Sequence, residues 1–294
     1  MYYPYFRGKQ FDLLALRQLS EADKLSQAIH PIIEPVKDNP ALYKLLQQFD
    51  KVKQPYSLIE NPQSGDFLTV AGQEKLQQIT TSSAHILTTP LNSSSHYQVL
   101  IAQNAEVLKD YGSLIFSIPT IVPMEFRLLQ RIKGPLILSE DNFLRVRPSY
   151  YLEQPDEIFS TAHLNFTKRG FKGFSDFSID SRLYYEQSYP AREIVLHLVY
   201  FAENNQLRIH HFVSPSEELP DFSSRFLAVM AEVIAFPFFP KEETVGLKIL
   251  KESYFKNKFP GMGILRKASV MHHLELMSRF FDKQNGSFFI SQKS

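Results

Sequence analysis

The chain has 294 residues, of which 44% are hydrophobic and 21% charged, and its formal net charge is +1. It contains no cysteine, which excludes disulfides, thiolate metal sites and a cysteine nucleophile. The near-neutral charge provides no overall field that would favour nucleic acid or a membrane surface, and the length suits an α/β domain.

Eight short apolar or β-branched runs recur along the chain and are separated mostly by segments with helical periodicity. The predicted strands are residues 2–6, 31–36, 56–60, 85–89, 113–118, 135–139, 171–179 and 194–201. The predicted helices between them include residues 10–19, 40–49, 98–108 and 124–132. Apolar strands covered by helices are typical of a parallel sheet. We therefore predict an α/β fold, a (β/α)8 TIM-like barrel, with an open doubly wound parallel sheet as the alternative.

Three segments depart from this alternation, although residues 1–294 are expected to form a single domain. Residues 142–170 have no clean period and are interpreted as a long excursion, a lid or a binding loop. Residues 194–201 and 207–213 are separated by a short polar turn, which predicts a β-hairpin. Residues 221–294 are predicted to form C-terminal helices.

The sequence also carries expectations about location. The first seven residues lack a charged lead followed by an apolar run, so we expect no signal peptide. The longest apolar stretch, residues 226–239, is interrupted by Glu232 and Pro237 and is too short to cross a bilayer. We therefore expect a cytoplasmic protein without membrane contact.

Charged side chains lie at the ends of several predicted strands. Arg7 and Lys9 follow the first, Glu34 and Glu60 come at the ends of the second and third, and Asp176 lies in the seventh. Because the functional site of a parallel barrel lies at the carboxyl ends of its strands, these groups are candidates for one site. Lys9, Glu34, Glu60 and Asp176 would be the catalytic residues.

The chemistry of these groups permits several roles. Glu34, Glu60 and Asp176 would bind a divalent metal such as Mg²⁺, and Arg7 would hold a phosphate or carboxylate. The alternative is that Glu34 and Glu60 are solvated at the rim, or simply pair with Arg7 and Lys9 there.

Two further groups are candidates for binding. His210 and His211 are neighbours on a predicted strand and must face opposite sides, and His211 is a candidate ligand-binding residue. A basic cluster interleaved with aromatic residues includes Lys251, Lys256 and Lys258 and is a candidate for nucleic-acid binding. The alternative for the cluster is a solvated helical face.

Short motifs at residues 3–16, 30–35, 173–176 and 208–214 resemble the phage beta-protein family, in particular an uncharacterised bacterial subgroup, the sce-type family proteins. The resemblance implies a prokaryotic or prophage protein from a mobile or defence-related locus, with a protein partner encoded nearby. It implies no established activity. The family's recurring positions correspond here to Lys9, Glu34, Asp176 and His211.

Two functions follow as expectations. The first is an enzyme, or former enzyme, whose barrel mouth takes a phosphorylated or nucleotide-like ligand, with a divalent metal assisting. The alternative is a non-catalytic binding component of a phage-defence or mobile-element assembly. Such a component would act on a protein or nucleic-acid partner through its C-terminal helices.

Overall fold

The computed structural model describes residues 1–88, 97–104, 107–109, 117–124, 133–182, 193–214 and 219–291. The chain divides into two compact units. The first comprises Met1–Leu13, Gln27–Asp141 and Ala162–Phe177, and the second comprises Leu14–Ser26, Asn142–Thr161 and Ser178–Ser294. One domain over residues 1–294 stays a prediction.

The strands are short and lie mostly where apolar runs occur in the sequence. They are β1 (Tyr5–Phe6), β2 (Ile32–Ile33), β3 (Ser57–Ile59), β4 (Ser83–Ile86), β5 (Tyr97–Ile101), β6 (Thr120–Pro123), β7 (Leu136–Ser139), β8 (Asp156–Ser160), β9 (Gly173–Ser175), β10 (Val195–Phe201) and β11 (Leu207–Val213).

The helices alternate with the early strands and dominate the C-terminal third. They are α1 (Gln10–Glu21), α2 (Pro40–Val52), α3 (Val70–Ile79), α4 (Pro148–Glu153), α5 (Ala162–Asn165), α6 (Phe222–Ala235), α7 (Val245–Phe255) and α8 (Met262–Ser291). Helix α2 shows why they begin and end where they do. The Asn39 side chain accepts hydrogen bonds from the amides of Ala41 and Leu42, Pro40 opens the helix, and Lys53 ends it in the left-handed region.

Strands β1 to β7 and β9 pair in parallel, in that order, within the first unit. Backbone hydrogen bonds then connect β9 and its extension to β1 and the residues just before it. The Tyr3 amide donates to the Phe174 carbonyl at 2.8 Å, and the Tyr5 amide donates to the Asp176 carbonyl at 2.8 Å. The eight-stranded sheet is thereby nearly closed into a barrel. The predicted (β/α)8 TIM-like fold is confirmed, and the open-sheet alternative does not apply.

One hydrophobic cluster receives side chains from all eight positions around the barrel and forms its interior. Its members are Tyr3, Tyr5, Ile32, Ile59, Ala84, Ile86, Val99, Ile101, Ile121 and Ile137, with Phe177 packed against them. Because side chains alternate along a strand, these residues reveal which neighbouring positions face inward and which face outward.

The second unit contains an antiparallel sheet in the order β10-β11-β8. The predicted hairpin is β10 and β11, with Val195 opposite Val213 and Phe201 opposite Leu207. Residues 142–170, interpreted from the sequence as a long excursion between strands, contain α4, β8 and α5, and β8 pairs with β11. A strand in this segment was not predicted because its residues show no strong alternation in sequence.

Helix α8 is buried around almost its whole circumference between residues 268 and 278. Two of its buried polar side chains, His272 and Glu275, bond neighbouring elements. His272 Nε2 lies 2.7 Å from the Val199 carbonyl and its Nδ1 lies 2.7 Å from Thr244 Oγ1. Glu275 accepts a hydrogen bond from the Val245 amide at 2.7 Å.

Four of the predicted elements need correction or cannot be compared. Residues 98–101, expected at the start of a helix, belong to β5, and residues 194–201, expected as the eighth barrel strand, contain β10 of the other sheet. The predicted strand at 113–118 falls mostly outside the described residues, and the predicted helix at 124–132 does so almost entirely.

None of the helices in the described part of the chain combines the length and apolarity needed to span a bilayer.

Candidate ligand site at the barrel mouth

Glu34 is a buried carboxylate that directly follows β2 and is 3% exposed. Its Oε2 accepts a hydrogen bond from the Tyr5 hydroxyl at 2.9 Å, and its Oε1 accepts one from the Gln63 amide at 2.8 Å. Arg7 Nε lies 3.6 Å from the same Oε2. The charge is therefore stabilised by two hydrogen bonds and an opposite charge, as a buried carboxylate requires.

Arg7, just after β1, lies beside Tyr5 and Glu34. Its side chain is only 11% exposed, and its guanidinium lies over the Phe177 ring at 5.6 Å from the centroid. Tyr5 and Arg7 are two positions apart and share the inward face of the strand. Burial, and then the adjacent Glu34 charge, raise the pKa of the Tyr5 hydroxyl well above its usual value.

The turn after β1 brings the start of α1 next to Arg7. Gly8 has φ of +48°, and a Cβ there would lie 2.9 Å from the Glu34 carbonyl oxygen, so glycine permits both the backbone conformation and the close approach. The Lys9 carbonyl accepts the first helical hydrogen bonds, from the amides of Asp12 and Leu13. Helix α1 thus begins one residue after Lys9, and its first backbone amides lie at the carboxyl end of β1.

Glu60 belongs to a different group, on the outer face of the barrel. It follows the interior residue Ile59 by one position, and alternation turns it outward. Its Oε1 lies 3.0 Å from His85 Nδ1. His85 Nε2 lies 3.3 Å from Asn61 Nδ2, and the Asn61 side chain also bonds both backbone groups of Ile86. His85 therefore donates from Nδ1 to Glu60 and accepts at Nε2.

Asp176 is likewise turned away from the interior. It precedes the inward-facing Phe177, and its Oδ1 accepts a 2.6 Å hydrogen bond from the Tyr2 hydroxyl. Tyr2 itself stacks on Phe174 with ring centroids 4.8 Å apart. Burial, and then the Asp176 charge, raise the pKa of the Tyr2 hydroxyl well above its usual value.

The carboxylates predicted as metal ligands are consequently not gathered together. Within the described ranges, no three or more His, Asp or Glu side chains are grouped in a way that could hold a metal ion. The physical reason is the two-residue period of a strand, which places Glu34 inside the barrel and points Glu60 and Asp176 outside it.

His211, predicted as a ligand-binding residue, is a buried member of the second unit. Its Nδ1 lies 2.6 Å from His197 Nδ1, and its Nε2 lies 3.3 Å from Glu157 Oε1. Both ring nitrogens are therefore already used. Burial lowers the pKa of His211 to about 4, and burial, followed by the neighbouring imidazole, lowers the pKa of His197 well below its usual value.

The predicted nucleic-acid-binding lysines lie on and after α7. Lys251 pairs with Glu243, Lys256 Nζ lies 3.9 Å from Glu252, and Lys258 is exposed. Two of the three positive charges thus lie close to carboxylates of the same unit, which reduces their field.

Sequence reasoning missed Tyr5 and Gln63, which hold Glu34. Tyr5 precedes Arg7 by two positions, so the two-residue period of a strand predicts that both side chains face the same side. Gln63 acts through its backbone amide, and no residue-type signal predicts that contact.

Comparisons with known proteins bear on none of these assignments. No family model, curated protein or solved structure matches the chain. The resemblance to the phage beta-protein family therefore stays an expectation, and the candidate site stands on its geometry.

Proposed function

We propose that the carboxyl-end mouth of the barrel binds a phosphorylated or nucleotide-like small molecule, as an enzyme or former enzyme. The observation that supports this is that Arg7, whose side chain lies beside Glu34, is followed in the chain by Lys9 and the first turn of α1 at the carboxyl end of β1. A guanidinium, an ammonium and helix N-terminal amides are the donors that proteins use for phosphate groups.

Glu34 supports this role in two ways. Its carboxylate holds Arg7 from one side while Phe177 holds the guanidinium from another, so the cation is oriented before a ligand arrives. A carboxylate beside the bound anion is also the group that would exchange a proton with it. The proposal includes no metal, because Glu60 and Asp176 are paired with His85 and Tyr2.

Calorimetric titration of the full chain with inorganic phosphate, ribose 5-phosphate and ADP, with and without Mg²⁺, tests the proposal. We expect saturable binding of at least one of these ligands, weakened about tenfold or more in an Arg7→Gln variant. Lys75→Gln is the matched control, since Lys75 is an exposed cation of the same unit, paired with Asp38. Absence of binding, or equal affinity in both variants, would count against an anion site at the mouth.

A second candidate function rests on the exposed end of α7. Phe255 is 72% exposed and the neighbouring Lys256 side chain is 72% exposed. An exposed ring beside an exposed cation suits a nucleic-acid strand. It supports the alternative of a non-catalytic component of a phage-defence or mobile-element assembly.

A gel-shift titration with single- and double-stranded nucleic acid at low salt distinguishes this candidate from the first. Binding that weakens with salt and falls in a Phe255→Ala, Lys256→Gln double variant would support it. The control is Lys75→Gln, a cation of the other unit. No shift at low salt would dismiss it.

A further inference from the structure

A polar cluster in the second unit is organised around one carboxylate, that of Asp156 at the start of β8. Its Oδ1 accepts a hydrogen bond from Arg208 Nε at 2.6 Å and lies 2.5 Å from Arg208 Nη2. Its Oδ2 accepts one from the Tyr200 hydroxyl at 2.9 Å and lies 3.0 Å from His210 Nδ1. Four donor atoms on two oxygens fix the carboxylate and the three side chains around it.

The sheet explains why these residues meet. Tyr200 of β10 lies directly opposite Arg208 of β11, and His210 of β11 lies opposite Asp156 of β8. Residues directly opposite each other share a face, and so do residues two apart on one strand. All four side chains therefore project from one face of the three-stranded sheet.

Two of these side chains keep an unused polar edge. With Nδ1 directed at Asp156, Nε2 of His210 points away from the carboxylate, and Arg208 keeps Nη1. Among the described residues, neither atom makes a further hydrogen bond within this cluster. The Arg208 and His210 side chains are 28% and 21% exposed, so each is partly open to solvent.

An aromatic surface adjoins the polar edges. The Phe238 ring stacks on Tyr200 with centroids 5.4 Å apart and 21° between the planes, and Phe238 is 54% exposed. The Phe236 ring lies 4.6 Å from the His210 ring. An exposed phenyl face beside an Arg and a His offers stacking and anion binding together.

We propose that this cluster is a binding site for a nucleoside monophosphate, distinct from the barrel mouth. Arg208 Nη1 donates to the phosphate oxygens, and the base stacks on the exposed face of Phe238. His210 Nε2 accepts the hydrogen of the phosphate hydroxyl. Because Arg208 and Asp156 offset each other in charge, the cluster suits a phosphate monoanion that brings its own proton.

The test is calorimetric titration of the full chain with AMP, adenosine and inorganic phosphate. His210→Asn retains an amide donor for Asp156 and removes the Nε2 position, and Phe238→Ala removes the exposed ring. Phe222→Ala is the matched control, since Phe222 is 42% exposed and stacks on Phe259 in the same unit.

We expect AMP to bind more tightly than adenosine or phosphate, with affinity reduced about tenfold or more in His210→Asn and in Phe238→Ala. Phosphate binding should fall in His210→Asn alone, and Phe222→Ala should bind as the wild type does. Circular dichroism verifies that each variant is folded, and Phe238→Ala keeps the polar cluster intact.

The Arg7→Gln variant separates this site from the barrel mouth. AMP affinity retained in Arg7→Gln and lost in Phe238→Ala supports the site described here, whatever the outcome at the mouth. AMP affinity lost in Arg7→Gln and retained in both His210→Asn and Phe238→Ala overturns it, as does the absence of AMP binding.

Discussion

The Tyr5 hydroxyl donates a 2.9 Å hydrogen bond to the Glu34 carboxylate, although the two residues are 29 positions apart; Tyr5 lies in β1 and Glu34 directly follows β2. The bond joins the first two strands of the barrel on its interior side. It allows a carboxylate to remain buried directly beside apolar side chains.

Replacing Tyr5 by Phe should destabilise the protein. The Glu34 carboxylate would lose one donor and keep the Gln63 amide and Arg7, so we expect a loss of about 1–3 kcal/mol in the free energy of unfolding. Urea unfolding measures it. The control is Tyr43→Phe, whose hydroxyl bonds Asp38 at the surface, and which should change stability by less than about 0.5 kcal/mol. Equal effects of the two substitutions would contradict the assigned role of Tyr5.

Alkaline pH should destabilise the protein through Tyr2 and Tyr5. The pKa of each hydroxyl is raised above 10 by burial and then by its carboxylate partner. Above pH 10 the unfolded chain loses these protons while the folded chain keeps them. Stability therefore falls with rising pH, by about 1.4 kcal/mol per unit for each group. Urea unfolding between pH 9 and 11 should show a shallower decline in Tyr2→Phe, and an unchanged slope would refute this.

Acid should destabilise the protein through His272. Burial lowers the pKa of this imidazole from 6.5 to about 4. As pH falls below 6.5 the unfolded chain takes up the proton first, so about 3 kcal/mol that is fully present above pH 6.5 is lost by about pH 4. Nitrogen-15 NMR should show His272 neutral at pH 5, with the proton on Nε2, which faces the Val199 carbonyl. Titration of His272 near pH 6.5 would contradict its burial.

Gly246→Ala should weaken the packing of α7 against α8. A Cβ at Gly246 would lie 2.2 Å from the Ala268 carbonyl oxygen and 2.8 Å from the His272 amide. Both are backbone atoms of a helix, so relief requires the helices to separate, and we expect a loss of about 1–3 kcal/mol. Lys248→Ala, an exposed substitution in α7, is the control for thermal or urea unfolding. Equal stability of the two variants would show that the helices can move apart without cost.

Several elements were predictable because their signals are local. The apolar pairs Ile32–Ile33 and Leu58–Ile59 occur as short buried runs after helical segments, and they form β2 and β3. The hairpin of β10 and β11 was predictable from two β-rich runs around a polar turn. Strand β5 was not, because a short apolar run such as residues 97–101 fits the spacing of a helix and of a buried strand equally well.

The candidate site was predictable only in part, for a geometric reason. The strand-end rule correctly located Arg7 and Glu34 at neighbouring strand ends, and they lie 3.6 Å apart. It could not show that Glu60 turns outward to His85, since a one-residue difference in where a strand begins reverses every side chain that follows.

The sequence by itself therefore determined the parallel α/β architecture, the hairpin and the apolar runs that bury the strands, because these follow from periodicity over a few residues. Only the tertiary structure decided which charges meet. Glu34 meets Tyr5 and Arg7, while Asp176 meets Tyr2 across 174 positions. Barrel closure and strand register set these pairs, and both depend on the pairing of distant segments.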